Sequence, residues 1–303
     1  MDSKFLSLPT THYKLPTAHY FLRMEIMTSE HITAPTHDYP FCKTSEEYER
    51  LSKQAKMWEF STLRIFRQIG LSEGMSCLDV GCGTGAVMRL MGEMVGPTGS
   101  VAGIDVNGDT GRQAVEMLRA ATNSHFSFIE QDLDAVSDVP GGPFDLTFAR
   151  KVIIHLRNPI AMLRKMYAWT KPGGYIVVQD YDTSAWDIHP WLEAWGKFQK
   201  LLNDVFDSND SKFGHKLPAH FINAGIGDPD GADVAGVMGS LAQYGEMCRD
   251  SYRNLIPYAI RMGLTTEAES ESVIEDLKRA EKSAQYYSVR FPLLIGVWKR
   301  KPL

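Results

Sequence analysis

The sequence predicts an α/β fold built on a doubly wound, mostly parallel sheet. Three observations predict it. Short apolar runs alternate with segments of helical period between residues 75 and 180, their connections are short and marked by Gly and Pro, and a glycine-rich stretch falls at the junction of a strand and a helix. The runs 75–80, 100–106, 126–131, 144–148 and 175–179 read as strands, with helices at 86–95, 110–121 and 159–170 between them. Such alternation puts helices on both faces of a parallel sheet and ligands at the carboxyl ends of its strands.

The flanks are less regular. Residues 1–40 are rich in Pro, Thr, His and Tyr and repeat one phrase, Leu8-Pro9-Thr10-Thr11-His12-Tyr13 returning as Leu15-Pro16-Thr17-Ala18-His19-Tyr20. Two copies are too few for a solenoid, so this is read as an N-terminal arm, either on the surface or packed over the active site or a partner subunit. From Ser45, Tyr48, Leu51, Ala55 and Trp58 recur at three- and four-residue intervals, and Leu63, Phe66 and Ile69 extend one predicted helix to Gly70. Beyond Asp182, helices are expected at 191–206, 217–224, 240–262 and 266–285, a strand at 228–237 and an extended run at 287–299. The resulting division is an arm (1–44), a core (45–185), a helical cap and substrate region that includes a core strand near 228–237 (186–285), and a final core strand (286–303). The helices of the third segment serve as lid or substrate wall.

Composition excludes several classes. With 303 residues, 44% of them hydrophobic and 23% charged, the chain has globular composition, which sets aside whole-chain disorder and fibrous structure. A formal net charge of −5, with no dense basic run before Lys299-Arg300-Lys301, argues against nucleic acid as a partner. Cys42, Cys77, Cys82 and Cys248 have neither CxxC spacing nor the density of a disulfide scaffold, which fits a reducing compartment, and no metal site is read. The N-terminus shows no targeting pattern and no run is long enough to span a bilayer, so a cytoplasmic protein with no membrane partner is expected.

The informative segment is Leu78-Asp79-Val80-Gly81-Cys82-Gly83-Thr84-Gly85. Glycine admits positive φ and close backbone approach, and the helix that follows offers unpaired N–H groups. Gly81, Gly83 and Gly85 alternate, unlike the G-x-G-x-x-G dinucleotide fingerprint. With Asp79 two residues upstream, the spacing suits a cofactor with a cationic amino group better than a pyrophosphate. Asp105 ends the next strand, 20 residues after Gly85, where an acid can accept both ribose hydroxyls. Asp132 follows the third strand, where a carboxylate can accept from an adenine amino group. The alternative reading of each acid is a solvated turn or surface residue.

In these motifs the chain resembles the class I S-adenosylmethionine-dependent methyltransferases, specifically their UbiE-like small-molecule branch, over about residues 46–182. The resemblance implies a Rossmann-like, seven-stranded sheet whose last strand, around 291–298, is antiparallel. It implies S-adenosylmethionine as cofactor, Asp79 with Gly81, Gly83 and Gly85 as the glycine-rich motif, Asp105 with Val106 at the ribose, and Asp132 with Leu133 at the adenine. It matches Phe144-Asp145-Leu146-Thr147-Phe148 to the fourth strand and Lys171-Pro172-Gly173-Gly174 to the turn before the fifth. Gln54, on the early helix, is then the candidate for the methionine carboxylate. Arg150 either reaches the same end or forms a cap or salt bridge.

Methyl transfer chiefly requires an in-line approach to an activated methyl, so acid and base groups are optional. His155 is the candidate base, with packing as its alternative. Tyr181, Asp182, Trp186 and Trp191 follow the fifth strand, where a substrate should lie, and the tryptophans read either as an aromatic wall or as subdomain core. The reading is methyl transfer to an O, N or C atom of a small, secondary-metabolic acceptor. Its rivals are an enzyme that retains the cofactor as a fixed charge for a cyclisation or rearrangement, and a non-enzymatic S-adenosylmethionine-binding regulator. A homodimer is one assembly the sequence leaves open.

Overall fold

The computed structural model describes residues 54–205 and 211–303. The expected arm, 1–44, and the start of the helix expected from Ser45 lie outside the described residues. Residues 54–57 are helical, the chain turns at Trp58, and α1 (Glu59–Gln68) follows. The single helix expected through Trp58 is therefore broken there. The break accompanies burial of the indole, whose Nε1 donates to the Tyr181 hydroxyl at 2.8 Å.

The alternation then runs β1 (Ser76–Val80), α2 (Ala86–Val95), β2 (Ser100–Asp105), α3 (Gly108–Ala121), β3 (His125–Glu130), β4 (Phe144–Arg150), α4 (Pro159–Trp169) and β5 (Thr170–Asp182). Helix starts follow their sequence signals: Asn107 and Asn158 cap α3 and α4 through their side-chain oxygens, and Pro159 takes the first turn of α4. β5 is longer than expected. Phe144 pairs with Thr170 and Leu146 with Tyr175, so the segment expected as a turn before the strand is a bulge within it.

The chain continues through β6 (Asp187–His189), α5 (Glu193–Val205), α6 (Phe213–Asn223), β7 (Gly231–Ala235), β8 (Met238–Ser240), α7 (Leu241–Arg261), α8 (Glu267–Glu281), β9 (Ser288–Arg290) and β10 (Leu293–Arg300). Seven strands form the main sheet in the order β3-β2-β1-β4-β5-β10-β7. The first five are mutually parallel, and β10 runs antiparallel between β5 and β7. This is the Rossmann-like sheet with an antiparallel last strand. The strand order reverses between β1 and β4, which opens a crevice at their carboxyl ends.

Apolar side chains of α1, α2 and α3, among them Phe66, Met91 and Leu118, cover one face of the sheet. Those of α4 and α6, including Leu163, Met166, Leu217 and Phe221, cover the other. Of the helices expected in the cap, α6 thus packs on the main sheet. Helices α5, α7 and α8 share a third apolar cluster with Ile188, Val289 and Phe291.

Beneath that cluster lies a second, three-stranded sheet in the order β6-β9-β8, which the sequence does not suggest. Strands of three residues are too short to show a period of two. Its order repeats that of β5-β10-β7, because each short strand lies a few residues along the chain from its long neighbour. The cap therefore grows out of three adjacent strand ends. Among the described residues, no helix is long and apolar enough to cross a membrane.

Phe198 is fully buried in the cap cluster, with the rings of Trp186, Trp195 and Tyr252 at 5.1, 5.2 and 5.7 Å. Phe198→Ala is expected to lower unfolding free energy by about 3–5 kcal/mol through lost burial and a residual cavity. Urea denaturation followed by tryptophan fluorescence measures it.

Candidate active site

The turn after β1 is shaped by backbone demands. Gly81, Gly83 and Gly85 have φ of +69°, +48° and +73°, a region costly to residues with a Cβ. The N–H groups of Gly81 and Cys82 both donate to the Ile104 carbonyl, at 2.8 and 3.1 Å, fastening the turn to the end of β2. A Cβ on Gly81 would lie 2.2 Å from Val152 Cγ2, so the turn after β1 and the turn after β4 are in contact. A Cβ on Gly83 would meet no heavy atom within 4 Å. Backbone is thus exposed to an approaching ligand at Gly83 and closed against protein at Gly81.

Three acids stand at the ends of adjacent strands, in different states. Asp79 is fully enclosed, and burial pushes its carboxyl up to about 7, partly opposed by the charge of Arg150 and reinforced by that of Asp105. It accepts from the Met88 backbone, while its Oδ2 is buried without a hydrogen-bond partner in the protein. Asp105 accepts from Gly83 N–H through Oδ2 and from Asn107 N–H through Oδ1, both at 2.9 Å. The carboxylate is thereby aimed across the glycine turn. Two residues beyond β3, Asp132 is exposed and accepts from Asp134 N–H within its own turn. Val106 is exposed beside Asp105, whereas Leu133 is buried in the core.

A polar cluster joins α1 to the ends of β4 and β5. The Arg150 guanidinium, its pKa lowered by burial, donates to Thr62 Oγ1 at 3.0 Å. Thr62 in turn donates to Gln179 Oε1 at 2.7 Å. Arg150 is neither cap nor surface ion pair. It is a buried cation held over 88 residues of sequence, close enough to Asp79 for each to shift the other. The sequence reading missed Thr62, Gln179 and Asp180, none of which lies in a recognisable motif.

Next in the chain, Lys151 has φ +58°, the only non-glycine residue in that region among the described residues. Its Nζ donates to Gln54 Oε1 at 2.6 Å and lies 5.8 Å from the centroid of the Tyr181 ring. Gln54 is the residue expected at the methionine carboxylate, and its side-chain carbonyl accepts from Lys151. Asp180, fully buried and pushed up to about 7 by burial, accepts from Ile154 N–H at 3.0 Å and from Tyr181 N–H at 2.9 Å. It pins the short turn, Ile153–His155, that carries His155.

The remaining expected substrate residues disperse. Asp182 is occupied by its own turn, accepting from Ser184 N–H at 3.0 Å. Trp186 packs into the cap cluster against Trp195, Phe198 and Phe291. Trp191 is 64% exposed and lies over Gly196 of α5. Of the two readings of these tryptophans, the packing of Trp186 fits subdomain core, because α5 turns its apolar face towards α7 and α8, and Trp191 lies at the surface.

Residues 52–211, more than half of the chain, match the family model described as a methyltransferase domain, and the chain belongs to that family. It is a class I, UbiE-like methyltransferase that uses S-adenosylmethionine as cofactor. It is similar to demethylmenaquinone methyltransferase of Listeria welshimeri, 26% identical over 171 residues, covering 55% of this chain and 70% of the relative. In fold it is similar to a candidate methyltransferase from Bacillus halodurans, with a TM-score of 0.54 and 17% identity over 80% of this chain and 100% of the other. Phosphoethanolamine N-methyltransferase 2 of Haemonchus contortus gives 0.50 and 16%, over 85% of this chain and 58% of the other.

The residues present fit this cofactor. A buried carboxylate oxygen without a partner, beside a turn whose Gly83 backbone is open, suits a ligand that brings positive charge and hydrogen-bond donors. Gly81→Ala is expected to cost about 2 kcal/mol or more in stability from positive φ and collision with Val152. It is also expected to weaken S-adenosylhomocysteine binding about tenfold or more. Gly70→Ala, at φ +74° with nothing within 4 Å, should show only the conformational cost and unaltered binding by calorimetry.

Proposed function

We propose that the acceptor is a small molecule, methylated at an O, N or C atom, and that it binds at the strand tips beside Lys151, His155 and Tyr181, below the cap. The observation that carries this reading is the tie between Asp105 and Gly83 N–H, which sets a carboxylate across an open, positive-φ glycine turn. Gly81, Gly83 and Gly85 with Asp105 hold the adenosyl ribose, and Val106, Asp132 and Leu133 border the adenine. Asp79 and Arg150 form the charge pair at the methionine end, with Gln54 beside them. His155 is the general base for acceptors that must lose a proton. Of the residues expected at the acceptor, Tyr181 takes the wall position, and Asp182, Trp186 and Trp191 support the turn, cap and surface around it.

S-adenosylmethionine supplies a methyl group already activated on a sulfonium, so the protein has chiefly to align donor and acceptor and exclude water. The enclosure given by Arg150, Thr62 and Gln179 supports that division of labour. Incubation of the protein with S-adenosylmethionine and an acceptor library, read by mass spectrometry, is expected to give products heavier by one methyl group. Products with unchanged mass, or no detectable cofactor binding in titration calorimetry, overturn the reading.

Asp79 makes cofactor binding pH-dependent. Its carboxyl is largely neutral below about 7 and must ionise to face a cationic group. Affinity for S-adenosylmethionine is therefore expected to rise about tenfold from pH 6 to pH 8, and this slope should vanish in Asp79→Asn. Stability of the ligand-free protein runs the opposite way. The folded pKa lies above the unfolded value, so Asp79 favours the fold at low pH, and that contribution is lost as pH rises through about 7.

A further inference from the structure

We propose that Thr62 is a positioning residue for cofactor binding. It holds the Arg150 guanidinium apart from Asp79, so that the carboxylate and ammonium of the cofactor's methionine end enter between a separated cation and anion. The inference rests on the methionine-end assignment made above.

A buried guanidinium beside a buried carboxylate ordinarily forks onto it through charge-assisted hydrogen bonds. Arg150 and Asp79 are both enclosed, and each charge is felt by the other. Yet among the described residues no hydrogen bond or ion pair joins them, and Asp79 Oδ2 is left without a partner. Arg150 donates instead to Thr62 Oγ1 at 3.0 Å. The other ionisable groups within electrostatic reach of Arg150 are already engaged: Glu59 accepts from Arg89 at 2.7 Å, and the Tyr181 hydroxyl accepts from Trp58 Nε1. Asp105, which repels Asp79, accepts from the Gly83 and Asn107 N–H groups.

Thr62 can hold a guanidinium because its own place and polarity are fixed. A guanidinium only donates, so the hydroxyl must accept from it and turn its own proton elsewhere. Gln179 Oε1 at 2.7 Å and the Trp58 carbonyl at 3.2 Å stand ready to take that proton. Thr62 is fully buried in α1, and α1 is tied to three neighbours. Trp58 at its start joins it to Tyr181 of β5, the forked Arg64–Asp233 pair at 2.8 and 2.6 Å joins it to β7, and Glu59 joins it to Arg89 of α2. A helix fixed on three sides presents the hydroxyl at one place.

A hydroxyl is a weaker partner for a guanidinium than a carboxylate is. Its use here leaves both buried charges incompletely matched, and a zwitterion that brings a carboxylate to Arg150 and an ammonium to Asp79 completes both. Were the two protein charges closed on each other, the incoming charges would first have to separate them.

Calorimetry with two ligands tests the proposal: S-adenosylhomocysteine, which carries the charged methionine end, and 5′-methylthioadenosine, which keeps the adenosyl group and lacks that end. The wild-type protein is expected to bind the former about tenfold or more tightly than the latter. Thr62→Val removes the acceptor at nearly constant volume. It should weaken S-adenosylhomocysteine about tenfold and leave 5′-methylthioadenosine unchanged. Thr62→Ala removes the same oxygen without adding a methyl group and should give the same pattern, whereas Thr62→Ser should keep wild-type affinity for both. General loosening of the fold would weaken both ligands alike. Such a parallel loss, undiminished S-adenosylhomocysteine affinity in Thr62→Val and Thr62→Ala, or an equal loss in Thr62→Ser overturns the proposal. Equal affinity of the wild-type protein for the two ligands would instead bring down the methionine-end assignment beneath it.

Discussion

The contact between Gly81 and Val152 governs the rest of the site. It lets the turn after β1 and the turn after β4 approach closely enough for backbone of one to touch side chain of the other. Both turns stand where the strand order reverses, so the contact joins the floor of the crevice to its wall. Once it is made, the positive φ of Gly81, the tie of its N–H to Ile104 and the course of residues 151–155 are mutually dependent. A disturbance on one side of the crevice is felt on the other as displacement of packed atoms.

Burial of charge is the second constraint. Asp79, Arg150 and Asp180 are enclosed at the strand ends, where a low dielectric makes each unpaired atom costly. Asp180 accepts from backbone N–H groups, and Arg150 donates to Thr62. Asp79 Oδ2 and Gln179 Nε2 are left without partners in the protein. The fold holds these groups in place at its own expense, and such preorganisation is what tight recognition of a charged ligand requires.

Legibility in the sequence followed the distance over which each feature is decided. β1 and β2 and the glycine turn are set by runs of five to eight residues, and there periodicity and glycine spacing sufficed. The position of Asp105 was readable because it is fixed by the end of a strand. The break at Trp58 was not, and the contact that accompanies it, with Tyr181, spans 123 residues. The engagement of Gln54 by Lys151 spans 97 residues, and the Arg150–Thr62 bond spans 88, so neither leaves a local trace. The tryptophans after β5 left two readings open for a related reason. Aromatic density reports that a surface is covered, and only packing tells whether by substrate or by α7 and α8.

The second sheet bears on how the site can be entered. Because β6, β9 and β8 prolong the order of β5, β10 and β7, three of the four passages of the chain between cap and core lie side by side, the fourth leading from α5 to α6. A body tethered at one point can swing, but one tethered along a row resists rotation about every axis except that of the row itself. Large swings of the cap away from the strand tips are thereby opposed by the chain's own connections.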